Sequence, residues 1–159
     1  LGFPSNSLIV ALLITQFVGF PAAIAFGRLG DRIGARAGIL VALAVYMAVT
    51  AWGAFMSAVW EFYLLAVVIG LVQGGVQSLS RSLYARLIPP GRSAEFFGFY
   101  NMLGKFAAVL GPALMGWVGV LSGSPRIGIL SVLALFVVGA VLLLRVDVAR
   151  GMRDAARQP

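Results

Sequence analysis

Long uncharged apolar runs, separated by short clusters of charged and small residues, make up most of this chain. They cover Ser7 to Phe26, Ala37 to Phe55, Phe62 to Leu79, Phe96 to Leu121 and Ile127 to Leu144, and the only charge inside any of them is Lys105. At about 1.5 Å of rise per residue, roughly 20 apolar residues cross a hydrocarbon layer about 30 Å thick. The runs are continuous rather than alternating, and backbone amides in lipid must be satisfied within their own segment or in a closed barrel. The pattern therefore predicts transmembrane helices rather than strands, with a hydrophobic soluble core as the alternative. The expected fold class is an all-α membrane protein: a five-helix bundle over residues 1–145, followed by a basic tail over 146–159. That tail could touch anionic headgroups, but with Asp147 and Asp154 interspersed a frayed, solvated end is the expectation. Pro4 with Ser5 or Ser7 is expected to form the initial turn of the first span. The chain opens at Leu1 with no basic leader and holds an odd number of spans. It therefore reads as a carboxy-terminal piece with at least one further helix ahead of it.

Composition agrees with the pattern and removes other classes. Of 159 residues, 61% are hydrophobic and 11% charged, and the mean hydropathy is +1.01. With no cysteine, no histidine and five carboxylates, the chain has no disulfide, no thiolate or imidazole metal ligand and no histidine base to offer. No metal, cofactor or enzymatic role is expected. The net charge of +7 is spread between apolar runs instead of gathered on a soluble face, so nucleic acid is not an expected partner.

That charge reports topology. Arg28, Arg32 and Arg36 fall between the first two spans, Arg81, Arg86 and Arg92 between the third and fourth, and Arg145, Arg150, Arg153 and Arg157 after the fifth. The opposite side has only Arg126. The positive-inside rule places the arginine-rich segments in the cytoplasm, with the amino terminus of the chain outside and the carboxy terminus cytoplasmic. Trp52, Trp60 and Trp117 lie near the expected outer ends, where an indole keeps its body in lipid and its N–H near water. The membrane would be a plasma or inner membrane if the source is bacterial.

The segment after the first span reads Gly27-Arg28-Leu29-Gly30-Asp31-Arg32-Ile33-Gly34-Ala35-Arg36. Its glycines, with Gly38, allow a sharp reversal and close helix approach. Asp31 could accept backbone N–H bonds in such a turn, while Arg32 and Arg36 could cap carbonyl ends; a solvated basic turn is the alternative. This segment resembles the Gly-x-x-x-Asp-Arg-x-Gly-Arg-Arg signature of the major facilitator superfamily, with Ala35 at a usually basic site. The second arginine-rich connection runs from Ser80 to Asn101 through Pro89-Pro90-Gly91, with Ser93 and Glu95 or Phe96 as an expected N-cap arrangement. Together with Gln73-Gly74-Gly75-Val76-Gln77 upstream and Gly104-Lys105 to Gly111-Pro112 downstream, it resembles the autophagy-linked vacuolar amino-acid effluxer family and its bacterial relatives. The resemblance covers roughly residues 16 to 121. It implies that the five spans match helices eight to twelve of a twelve-helix transporter, an incomplete six-helix half whose partner is the missing amino-terminal half.

Polar side chains within spans are costly unless they face protein or water, so each is a candidate for a solute path. Lys105 lies eight residues, about 12 Å, beyond Phe97, where an ammonium costs roughly 2.5 to 3.5 kcal/mol unless its stem reaches back toward the headgroups. Asn101, Lys105, Ala108 and Pro112 share one helical stripe expected to face a cavity. Gln73 and Gln77 on the third span are candidates for ligand contact or interhelical hydrogen bonding, Gln16 is a further candidate, and Gly70 with Gly74 reads as a packing strip. Pro21 with Gly19, and Gly111 with Pro112, mark bends that could be hinges or static kinks. The expected function is transport of a small solute, amino acids by the resemblance, through alternating access, in which Asp31, Arg32, Arg36, Arg81, Arg92 and Glu95 form a cytoplasmic gate. No acid lies inside a span, so a proton-coupling carboxylate would belong to the missing half unless transport is facilitated. The rival readings are a membrane scaffold or assembly subunit, and an intramembrane enzyme using Ser78, Ser80 or Ser82 near Lys105.

Overall fold

The computed structural model describes residues 5–157, so the turn expected at Pro4 lies outside the described residues. The chain forms α1 (Ser5–Ile33), α2 (Ala35–Phe55), α3 (Val59–Ala85), α4 (Ser93–Ser122), α5 (Pro125–Arg145) and α6 (Val148–Arg157). Among the described residues, α1 to α5 are each long and apolar enough to cross a membrane. The fold is that of an all-α membrane protein.

The helices overrun the apolar runs, which corrects the expected connection after the first span. α1 continues through Gly27 and Asp31 to Ile33, and the reversal into α2 is made by Gly34 alone, at φ 86. Arginine and leucine are good helix formers, so nothing in Arg28, Leu29 or Arg32 stops the helix once it leaves the apolar stretch. A left-handed φ does stop it, and glycine adopts that conformation without a Cβ clash. Pro21 and Pro112 lie within unbroken helices.

The chain divides into two compact units, Leu1–Ser80 and Arg81–Pro159. In the first, α3 packs against both α1 and α2. It meets α1 through small residues: a Cβ on Gly70 would stand 2.8 Å from the Thr15 carbonyl oxygen, and one on Gly74 would run into the Gly19 carbonyl. The Thr15 hydroxyl donates to the Ala66 carbonyl at 3.2 Å and to the Ala11 carbonyl at 2.8 Å. Farther along, Phe26 covers Gly75 and Leu79 lies against Gly30, so positions on α1 and α3 advance together and the two helices run parallel. Leu79 also reaches Gly38 of α2. The antiparallel α2–α3 contact continues through Val45, Val49 and Met56 packed with Phe62, Leu65, Val68 and Ile69. In hydrocarbon there is no hydrophobic drive between helices, so close backbone approach and dispersion hold them, and glycine makes that approach possible.

At the α2–α3 connection the Glu61 carboxylate accepts from the backbone N–H groups of Ser57 at 2.8 Å and Ala58 at 2.9 Å, and from Trp52 Nε1 at 3.3 Å. As the third helical residue reaching back to the N-cap amide, it forms half of a capping box.

In the second unit α4 and α5 form an antiparallel hairpin. Gly123 turns the chain at φ 65 and donates its N–H to the Val120 carbonyl. Gly128 faces the Met115 carbonyl, where a Cβ would lie at 2.5 Å, and Gly119 beside it. Gly91, at φ 84, precedes α4, and Ser93 is the first helical residue rather than the N-cap. Arg92 takes the cap position without a side-chain cap bond, since a guanidinium carries donors and no acceptor for the free N–H groups; it bonds instead to Glu95. Tyr84 joins the end of α3 to the start of α4: its hydroxyl donates to the Phe96 carbonyl at 3.1 Å, and its ring lies 5.7 Å from Phe97 and 4.9 Å from Tyr100, centroid to centroid. The tail, expected to be frayed and solvated, is helical from Val148 to Arg157, with Asp147 accepting from the Arg150 N–H at 2.9 Å.

Three outcomes are expected. Replacing Gly74 by Ala drives a methyl into the Gly19 carbonyl, backbone against backbone, and lowers unfolding stability by about 1 to 3 kcal/mol in a detergent titration. Gly104→Ala, with open space around it, leaves the midpoint unchanged or raises it. Glu61→Ala speeds amide hydrogen exchange at Ser57 and Ala58 and leaves the interior of α2 protected.

Candidate functional site

Lys105 stands twelve residues into the 30-residue α4, about 18 Å from its start and close to its middle. α4 buries none of its residues, and Asn101, Lys105, Ala108 and Pro112 are all exposed. At about 100° per residue these four point within a narrow arc, and Met115 and Gly119 continue the same stripe. Where the stripe reaches Met115 and Gly119 it becomes the seam with Gly128 of α5; at Asn101 and Lys105 no described residue of the second unit covers it. Among the described residues Lys105 has no carboxylate partner. The arrangement is a polar stripe left open at mid-helix and closed by glycine packing at the hairpin end.

The other path candidates belong to the first unit. Gln73 is half-buried on α3, while Gln77 and Gln16 are exposed. Gln16 follows Thr15, whose hydroxyl is committed to α3. Gly70 and Gly74 take the packing role expected of them, which fixes the rotation of α3 and thereby where Gln73 and Gln77 stand.

The gate candidates divide in the same way. Asp31 and Arg32 are exposed on the last turn of α1, and Arg36 is half-buried on the first turn of α2. Asp31 sits inside a continuing helix with no hydrogen-bond or ion-pair partner among the described residues, so the turn-capping role proposed for it is not the one it takes. In the second unit Arg81 is exposed, whereas Arg92 and Glu95 form a forked pair: Nε to Oε2 at 3.1 Å, Nη2 to Oε1 at 2.9 Å and Nη2 to Oε2 at 2.8 Å. The guanidinium also lies 5.3 Å from the Phe96 ring centre. Half or more of each side chain is in solvent, so the pair contributes about 0 to 1 kcal/mol.

Glu61 and Asp147 organise two helix starts and were not singled out from the sequence. Each is an acid in or just before the first turn of a helix, the position where a carboxylate meets free N–H groups. An apolar groove of about 410 Å³ between Met115, Gly116, Gly119, Val120, Pro125 and Ile129 lies at the hairpin end of α4 and α5, away from Lys105. It presents no polar side chain for a ligand. Among the described residues, no group of three acidic, histidine or cysteine side chains comes together to hold a metal.

Comparison with known proteins places these features in a family. Residues 1–156 match the family described as vacuole effluxer Atg22 like. A Bacillus subtilis protein named uncharacterized MFS-type transporter YxiO is 40% identical over 143 residues, which is 90% of this chain and 33% of that protein. Autophagy-related protein 22-1 of Phaeosphaeria nodorum is 45% identical over 96 residues, 60% of this chain and 17% of that protein. Autophagy-related protein 22 of Gibberella zeae is 40% identical over 109 residues, 67% of this chain and 16% of that protein. The chain thus spans a third or less of the length of these relatives. No solved structure resembles it closely enough to count as a match. A match over nearly the whole chain, joined to five apolar spans and the motif-bearing α1–α2 and α3–α4 connections, shows that the chain belongs to the Atg22-like vacuole effluxer family.

Proposed function

We propose that this chain is the five-helix carboxy-terminal portion of a secondary transporter that moves a small solute, with amino acids as the substrate class and efflux as the direction. Family membership supports transport, and the effluxer name borne by the family supports the direction. The observation that carries the site is the open stripe of Asn101 and Lys105 at mid-helix on α4, a helix with no buried residue. An ammonium in hydrocarbon without a partner is unfavourable by roughly 2.5 to 3.5 kcal/mol, and water in a vestibule, a substrate carboxylate or an acid on the other half removes that cost. The stripe therefore faces the solute path, with Lys105 as the cationic anchor and Asn101, Gln73, Gln77 and Gln16 as neutral hydrogen-bonding groups.

Alternating access follows from rocking of two six-helix halves about a midplane site. In this reading α1 to α5 are helices eight to twelve, and the arginine-bearing connections and the carboxy terminus face the cytoplasm. Asp31, Arg32, Arg36, Arg81, Arg92 and Glu95 act there as the gate. Single exposed pairs are too weak to hold one state, so the gate works as a network that forms in one state and parts in the other. Helix bends at Pro21 and at Gly111–Pro112 absorb part of the motion: each proline lacks the N–H that would bond four residues back. The chain offers no acid at mid-span, so any proton coupling is assigned to a carboxylate of the other half. The protein is not an enzyme in this reading; it binds and releases its solute unchanged.

In proteoliposomes of the full-length protein, Lys105→Ala is expected to reduce amino-acid flux by about tenfold or more, the equivalent of losing one charge-assisted hydrogen bond of about 1.5 to 3 kcal/mol. Lys105→Arg keeps the charge and retains part of the rate. Wild-type affinity and flux in both variants would remove Lys105 from the path. Absence of flux in the wild type, together with labelling of Lys105 by photoreactive lipid, would favour the scaffold reading.

A further inference from the structure

We infer that α6 is an interfacial helix that lies along the membrane surface and reads anionic phospholipid headgroups through Arg150, Arg153 and Arg157. The inference requires only that α5 crosses a membrane and does not depend on transport.

Three observations carry it. The first is reach. Only Val146 and Asp147 separate the end of α5 from α6, and three Cα steps of about 3.8 Å keep the start of α6 within about 11 Å of the last residue of a spanning helix. The second is fixed rotation. Asp147 caps the helix, a Cβ on Gly151 would stand 2.7 Å from Leu87 Cδ2, and Ala155 is 7% exposed, so the Gly151 and Ala155 edge is seated on the chain itself. A ten-residue helix would not hold its shape in water without such packing.

The third is the division of the remaining surface. Turning about 100° per residue, α6 gathers Val148, Ala149, Met152 and Ala156 into an arc of about 100° and Arg150, Arg153 and Arg157 into an adjoining arc of about 60°. Met152 is 41% exposed and apolar. Arg150 approaches Asp154 only at 3.9 Å, with both side chains more than half in solvent, and Arg153 and Arg157 have no acidic partner among the described residues. With the Met152 arc turned toward the acyl boundary, the arginine arc falls at the level of the phosphates, and long arginine stems allow their guanidinium groups to meet them. A zwitterionic surface offers these guanidinium groups no net counter-charge; an anionic one complements them.

The test uses the full-length protein with no other cysteine and an environment-sensitive dye on Met152→Cys. It is reconstituted into phosphatidylcholine vesicles, or into vesicles of equal parts phosphatidylcholine and phosphatidylglycerol. Dye quenching by nitroxide-bearing lipids is expected to be stronger with phosphatidylglycerol and to weaken as salt rises. Each Arg→Gln change at 150, 153 or 157 should lower the ratio of lipid-docked to free helix by about fivefold. Quenching that is indifferent to phosphatidylglycerol, salt and the three arginines would overturn the inference. So would a dye that stays in water on both vesicles, or one displaced by inorganic phosphate more than by sodium chloride of equal ionic strength. Because the readout is dye position and not flux, a failure here is separable from a failure of the transport reading.

Discussion

Close backbone contact at glycine is the constraint on which both units depend. Lipid tails are as apolar as leucine, so two helices gain little by hiding apolar surface from lipid and must gain instead from fitting together at short range. In the first unit that fit occurs where Gly70 and Gly74 meet the backbone at Thr15 and Gly19, and where Leu79 fills the space left by Gly30 and Gly38. In the second it occurs where Gly128 meets Met115 and Gly119, and again where Gly151 receives Leu87. Once those contacts are made, the rotation of each helix is settled, and so is the direction in which its polar side chains stand.

The polar stripe on α4 gains its meaning from this. A 30-residue apolar helix with no buried residue is covered by lipid, water or protein beyond this chain, and the chain spans a third or less of the relatives it matches. Gly119 and Met115 close the stripe at one end, and Lys105 and Asn101 remain open at mid-helix. That contrast supports the proposed vestibule more strongly than composition does, since a lysine facing acyl chains at that depth would oppose insertion.

Much was legible in the residues. The five long apolar helices, the packing role of Gly70 and Gly74 and the family itself all follow from long patterns that tertiary contacts do not override. Helix ends were less legible. Hydropathy stops where charge begins, yet α1 runs on to Ile33 because Arg28, Leu29 and Arg32 are good helix formers whatever their hydropathy, and Gly34 ends it. Ser93 resembled an N-cap, but α4 begins at Ser93 itself, one residue earlier than that reading places it. The tail looked solvated because its charges outnumber its large apolar residues; its helix is seated where Gly151 meets Leu87, a contact far apart in sequence.

Sequence alone determined the membrane class and the five helices long and apolar enough to cross, because each depends on transfer energies summed along a contiguous segment. Tertiary structure decided which candidates have partners and which stand open. Among the described residues Asp31 has no partner, Lys105 is exposed, and α6 is seated on Leu87 with its arginines outward. Those outcomes turn on helix rotation, which glycine contacts between distant segments set and which no local pattern encodes.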